Sequence, residues 1–97
     1  MEFLVEHYLP GATRRELRDA SSRLASAALG LTDGGAPVRY LGSTLVPAEE
    51  SCFSRFDSGG EATVRRVFEV AQVTYARILA AELVDPKKEQ GQCQSIT

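Results

Sequence analysis

The chain has 97 residues, with 11 Lys and Arg against 13 Asp and Glu, a formal net charge of −2 and a pI near 5.4. That length fits one domain. The acidic balance gives no long-range attraction to a phosphate backbone, so nucleic acid is not an expected partner. No apolar run approaches the ~18 residues that read as a membrane span, and the first residues lack the basic start and apolar core of a secretion signal. The expected location is therefore cytoplasmic. Cys52 and Cys93 share no C-x-x-C spacing, and reduced thiols are expected rather than a disulfide framework.

The first predicted strand runs from Glu2 to Leu9. Phe3, Val5, His7 and Leu9 fall on one side of it, and Leu4, Glu6 and Tyr8 on the other, because strand side chains alternate. Both sides are large, which places this strand inside a sheet covered on both faces. Pro10-Gly11 ends it. Thr13 with Glu16 makes the capping box T-x-x-E. Leu17, Leu24, Ala28 and Leu31 then recur at helical spacing, with Gly30 suited to the C-cap. Arg15 with Asp19 and Asp19 with Arg23 are i,i+4 pairs on the outer side.

Thr32 to Pro37 reads as a loop and Val38 to Val46 as the second strand, in which Gly42 marks a bulge or a close backbone approach. Pro47 to Glu50 is a turn. Ser51 to Asp57 follows as the third strand, with Phe53 and Arg55 on one side and Cys52, Ser54 and Phe56 on the other. Ser58-Gly59-Gly60-Glu61 repeats the capping-box pattern. It precedes a helix that carries Val64, Val67, Phe68 and Ala71, pairs Glu61 with Arg65 and ends near Val73. Arg77 to Val84 is predicted as the fourth strand, with Leu79, Ala81 and Leu83 alternating against Ile78, Ala80, Glu82 and Val84. From Asp85 the chain is polar and aperiodic. The expected organisation is a domain over 1–84 and a mobile tail over 85–97.

The order β-α-β-β-α-β, with right-handed crossovers in both halves, predicts an α+β ferredoxin-like plait. Its antiparallel sheet has the order 4-1-3-2, with both helices on one face. The other face is expected to carry Leu4, Tyr8, Phe53, Ile78 and Val84. Burying such side chains is worth roughly 1.5–3 kcal/mol each, and a patch of them left wet is unusual for a monomer. A homodimer packing sheet on sheet, a dimeric α/β barrel, is the expected assembly. Glu6, Arg55 and Glu82 are assigned to the same face. Buried charges need partners, so a Glu6–Arg55 pair is one reading. A polar cavity of Glu6, Tyr8, Arg55 and Glu82, holding a cation or a small molecule, is the other. His7 points instead toward the helices, near the start of strand three and Cys52, with Tyr75 at the same end. A histidine with a cysteine suits a borderline metal such as nickel or zinc.

Leu4-Val5-Glu6-His7-Tyr8-Leu9-Pro10-Gly11 resembles the opening of a group of short bacterial ferredoxin-like proteins of mostly unassigned function. Val38-Arg39-Tyr40-Leu41-Gly42-Ser43-Thr44 and Cys52-Phe53-Ser54-Arg55-Phe56 resemble their middle hairpin, and Arg77-Ile78 the entry to their last strand. The resemblance spans residues 2 to 84. One branch of that group is described as nickel-binding and dimeric, so the resemblance implies nickel here, with Glu6, His7 and Cys52 at the positions that match. The chain departs from the group at Ser54, where a cysteine is frequent, and at His7, where arginine is common. Two functions are therefore expected. One is a metal-binding homodimer. The other, by analogy with dimeric ferredoxin-like barrels, is a cofactor-free isomerase, cyclase or monooxygenase. In that second case Glu6 or Glu82 is the general base, and Tyr8 or Arg55 steadies developing negative charge.

Overall fold

The computed structural model describes residues 1–8, 13–82 and 84–87. In chain order the elements are β1 (Glu2–Tyr8), α1 (Arg14–Asp33), β2 (Val38–Val46), a 3₁₀ turn (Pro47–Glu49), β3 (Ser51–Ser58), α2 (Glu61–Ala71) and β4 (Arg77–Ala81). The four strands form one sheet in the order β2-β3-β1-β4, and every neighbouring pair is antiparallel. This is the ferredoxin-like α+β plait that the sequence predicts, with β1 in an inner position.

Strand alternation sets what faces the helices. Phe3, Val5 and His7 of β1 are buried while Leu4 and Glu6 between them are only half-buried. The cross-strand partners of the first three are Phe56, Ser54 and Cys52, all buried as well. Helices α1 and α2 close over this face through Ala20, Leu24, Ala27 and Ala28, and through Val64, Val67, Phe68 and Ala71. The small alanines of α1 let its backbone lie close to its neighbours. The large side chain of Phe68 fills the centre, edge-on to Phe56 at 5.5 Å between ring centroids and to Tyr75 at 5.3 Å.

Local chemistry explains the element ends, including those that differ from expectation. Thr13 caps α1 by accepting the Glu16 backbone N–H at 3.2 Å, as its capping box requires. The helix then runs through Gly30 to Asp33, and it closes with the Gly34 N–H on the Gly30 carbonyl and the Gly35 N–H on the Thr32 carbonyl. Thr32 is taken into the helix because its hydroxyl both donates to the Val38 carbonyl and accepts the Val38 N–H, which ties the helix end to the start of β2. The second capping box does not form. Ser58 is the last residue of β3, its hydroxyl bonds Gly60, and Gly60 is the N-cap. Helix α2 ends at Ala71 because Gln72 adopts the left-handed conformation. Of the outer pairs, Asp19–Arg23 and Glu61–Arg65 close.

Strand β4 is shorter than predicted. Its Ala81 pairs with Glu2, the first residue of β1, so beyond Ala81 no ladder partner is left. Glu82 and Val84 are therefore off the sheet and exposed. Ile78, expected on the open face, is the partner of Val5 and packs on the core. Leu79 and Ala81 share the open face instead. Leu9, Pro10, Gly11, Leu83 and residues 88–97 of the predicted tail lie outside the described residues.

Gly42 does mark a bulge. The register of β2 on β3 skips between Tyr40, opposite Phe56, and Gly42, opposite Arg55. Gly42 takes φ +126° there, a conformation that only glycine adopts without strain. Leu41 is the extra residue, and past it the facing of β2 is inverted. Ser43, not Gly42 or Thr44, is set opposite Ser54.

Candidate functional site

The inverted facing of β2 assembles a polar cluster beneath the helices. His7 has no exposed surface. Its Nε2 lies 2.8 Å from the Ser54 hydroxyl. Ser54 lies 2.6 Å from the Ser43 hydroxyl, and Ser43 is 2.5 Å from the Tyr40 hydroxyl. Ser21 of α1 also donates to Ser43, at 3.4 Å. Hydroxyl groups thus run from the core imidazole to the half-buried Tyr40 on the edge strand. The other ring nitrogen, Nδ1, is buried without a hydrogen-bond partner. Phe68 stands edge-on to the ring at 5.6 Å.

Cys52 is opposite His7 in the β1–β3 register, a placement that sets Cβ atoms ~4.5–5.5 Å apart. Cys52 is also fully buried and free. Burial disfavours charge on both groups. It lowers the pKa of His7 from its usual 6.5, keeping the imidazole neutral. It raises that of the Cys52 thiol from 9.0, an effect that the hydroxyls of Ser54 and Ser43 partly offset. A neutral imidazole is the form that binds a metal, whereas a thiol must first lose its proton.

Glu6 is not part of this cluster. As the neighbour of His7 on a strand it points through the opposite face of the sheet, where its carboxylate meets Arg77 at 2.8 Å. The metal set expected from sequence, Glu6, His7 and Cys52, is divided by the sheet itself, and only the last two come together. No group of three or more His, Cys, Asp or Glu side chains placed to hold a metal occurs among the described residues. His7 and Cys52 fit a borderline ion in kind, and they supply two donors.

The cavity expected on the open face is also rearranged. Arg55 pairs with Glu2 at 2.7 Å, not with Glu6: it is opposite Leu4, diagonal to both acids, and Glu6 is engaged by Arg77, its direct partner on β4. Tyr8 is exposed at the end of β1, and Glu82 is exposed beyond β4. Of the four residues proposed to line it, Glu6 and Arg55 are members of two separate ion pairs on the sheet face, Tyr8 is at its exposed end, and Glu82 is off the sheet. A Glu6 oxygen already engaged by a guanidinium is not placed as a free general base.

Sequence reasoning overlooked Ser43, Tyr40 and Ser21. Alternation alone puts Ser54 on the His7 side, but Ser43 joins it only through the bulge. Gly42 was the available signal, since a bulge one residue before Ser43 reverses its side.

Fold and site together define a ferredoxin-like α+β plait with a buried imidazole–thiol pair under its helices. Among solved structures it is similar to the crystal structure of SCO4226 from Streptomyces coelicolor A3(2). The TM-score is 0.69 and the identity 21%, over 88% of this chain and 100% of that one. At this identity the likeness shows the fold. No family model matches the chain, and no curated protein matches it either. No helix among the described residues is long and apolar enough to cross a membrane.

Proposed function

We propose that this protein is a homodimeric, cytoplasmic binder of a divalent transition metal, held through His7 Nδ1 and Cys52 Sγ. The observation that carries the reading is the unpartnered, buried Nδ1 of His7, whose partner in the β1–β3 ladder carries a buried free thiol. An unfilled polar atom in a core is disfavoured by roughly 1–3 kcal/mol, and an ion bound there relieves it. Imidazole and thiolate together select nickel or zinc over hard cations, and the resemblance to a nickel-binding branch places nickel first. Two protein donors imply weaker binding than a closed four-donor site. The thiol proton leaves on binding, so affinity rises with pH.

Nickel titration of protein purified without an affinity tag tests this. The expected result is a thiolate-to-metal absorbance band together with a higher melting temperature. At a free concentration a hundredfold above Kd, the stabilisation is about 2.7 kcal/mol. C52A abolishes the band and H7A removes most of the stabilisation. Saturating nickel that moves neither absorbance nor melting overturns the reading.

A second copy of this chain is the partner proposed for the open sheet face. Leu4, Phe53 and Leu79 lie there among Glu2, Glu6, Arg55 and Arg77. Acids and arginines in equal number make the patch neutral and complementary to itself, which a two-fold interface requires. Sedimentation at micromolar concentration is expected to give a dimer, and F53R a monomer with the same helical content. A wild-type protomer that stays monomeric under those conditions removes the dimer from the proposal.

A further inference from the structure

The run of hydroxyls from His7 has two possible directions, and the burial of Nδ1 decides between them. Ser54, Ser43 and Tyr40 each have one proton to donate. In the inward direction Tyr40 donates to Ser43, Ser43 to Ser54, and Ser54 to Nε2. The imidazole proton is then on Nδ1, where no acceptor is present. In the outward direction Nε2–H donates to Ser54, Ser54 to Ser43, and Ser43 to Tyr40. The half-buried Tyr40 can pass its own proton to water. Ser43 then accepts from both Ser54 and Ser21, using its two lone pairs. Every donor is satisfied in this arrangement, and only a lone pair on Nδ1 is left open. A buried N–H without an acceptor is rarer in proteins than an underused acceptor.

We infer that Ser54, Ser43 and Tyr40 are positioning residues that hold His7 as the Nε2–H tautomer and leave the Nδ1 lone pair free for a borderline divalent metal ion. The choice of occupant rests on the metal-binding reading above; the tautomer does not. Supports of this kind are general for ligating histidines, whose second nitrogen donates to a fixed acceptor that sets ring orientation and basicity. Here the acceptor is a serine, itself fixed by a second serine and a tyrosine.

The test is the nitrogen-15 spectrum of the single histidine in metal-free protein, followed by nickel titration of the same samples. Wild type is expected to show a protonated Nε2 and a bare Nδ1. In S43A the Ser54 hydroxyl has lost its outward acceptor and turns to Nε2, so the proton moves to Nδ1. Nickel affinity then falls about tenfold or more, on the scale of other outer-shell losses. S43T restores the wild-type spectrum, because the hydroxyl returns. Unchanged backbone amide spectra show that each variant is folded. A wild-type histidine protonated at Nδ1, or a tautomer indifferent to S43A, overturns the inference. If the tautomer behaves as expected but nickel binds to no form, the positioning role stands and the metal reading fails.

Discussion

Phe68→Ala is expected to destabilise the protein by about 3–5 kcal/mol, the range for emptying a fully buried aromatic site. Phe68 is 1% exposed and meets His7, Phe56 and Tyr75 edge-on. Its removal takes away three ring contacts and leaves a void between α2 and the sheet. For a domain of this size each kcal/mol moves the melting temperature by roughly 4–8 °C, so thermal or urea unfolding reads the effect directly. The same truncation at Phe53, on the open face, separates burial within a protomer from burial between protomers. F53A is expected to lower stability mainly at concentrations where wild type is dimeric, whereas F68A is costly at every concentration. Equal, concentration-independent losses for the two would show that Phe53 is not covered by a second copy. F68A has a further consequence. His7 and Cys52 have no exposed surface, so an ion reaches them only when the helical layer parts. Nickel uptake is therefore expected to be slow in wild type and faster in F68A.

Stability is expected to fall as pH drops below about 6.5, with His7 as the cause. Burial lowers the folded-state pKa of His7 from 6.5, while the unfolded chain keeps the ordinary value. Between those two values the unfolded chain binds a proton that the folded one refuses, so acid favours unfolding. The slope approaches 1.36 kcal/mol per pH unit, one proton's worth. Cys52 sets the opposite limit. Its pKa is raised from 9.0 in the folded state. Above 9.0 the unfolded chain therefore releases a proton that the folded one keeps, and stability falls again. The result is a plateau between the two limbs. H7L is expected to abolish the acid limb down to the region where carboxylates titrate, and C52A the alkaline one. A wild-type melting temperature that is flat from about pH 8 to about pH 5 would mean that His7 accepts a proton while folded.

The fold was legible because its signals are local and redundant. Thr13 and Glu16 state where α1 begins, and alternation along β1 and β3 sorts Phe3, Val5, His7, Cys52, Ser54 and Phe56 onto one side. That His7 and Cys52 lie at the same end of neighbouring strands follows from antiparallel order. The errors came from quantities that a single strand does not contain. The end of β4 is set by where β1 starts, so the apolar run to Val84 misled. Cross-strand register sets Arg77 opposite Glu6, and with Glu6 so engaged Arg55 pairs with Glu2. Glu6 and His7 are adjacent on β1 and so lie on opposite faces, which bars them from donating to one ion. The hydroxyls beside His7 depend on the one irregular position in β2.

That position, Leu41 with Gly42, has an effect beyond its own turn of backbone. Holding one residue of β2 out of the ladder works as a sidedness frameshift: everything downstream exchanges inside for outside while the sequence of side chains is untouched. Taking Leu41 into a regular ladder opposite Arg55 would put Gly42 opposite Ser54, turn Thr44 inward and turn Ser43 outward. His7 would then be left with Ser54 alone. The chemistry beneath the helices is in that sense written in the pairing of an edge strand as much as in the identity of its residues, and a bulge gained or lost there rewires the interior without a single substitution inside it.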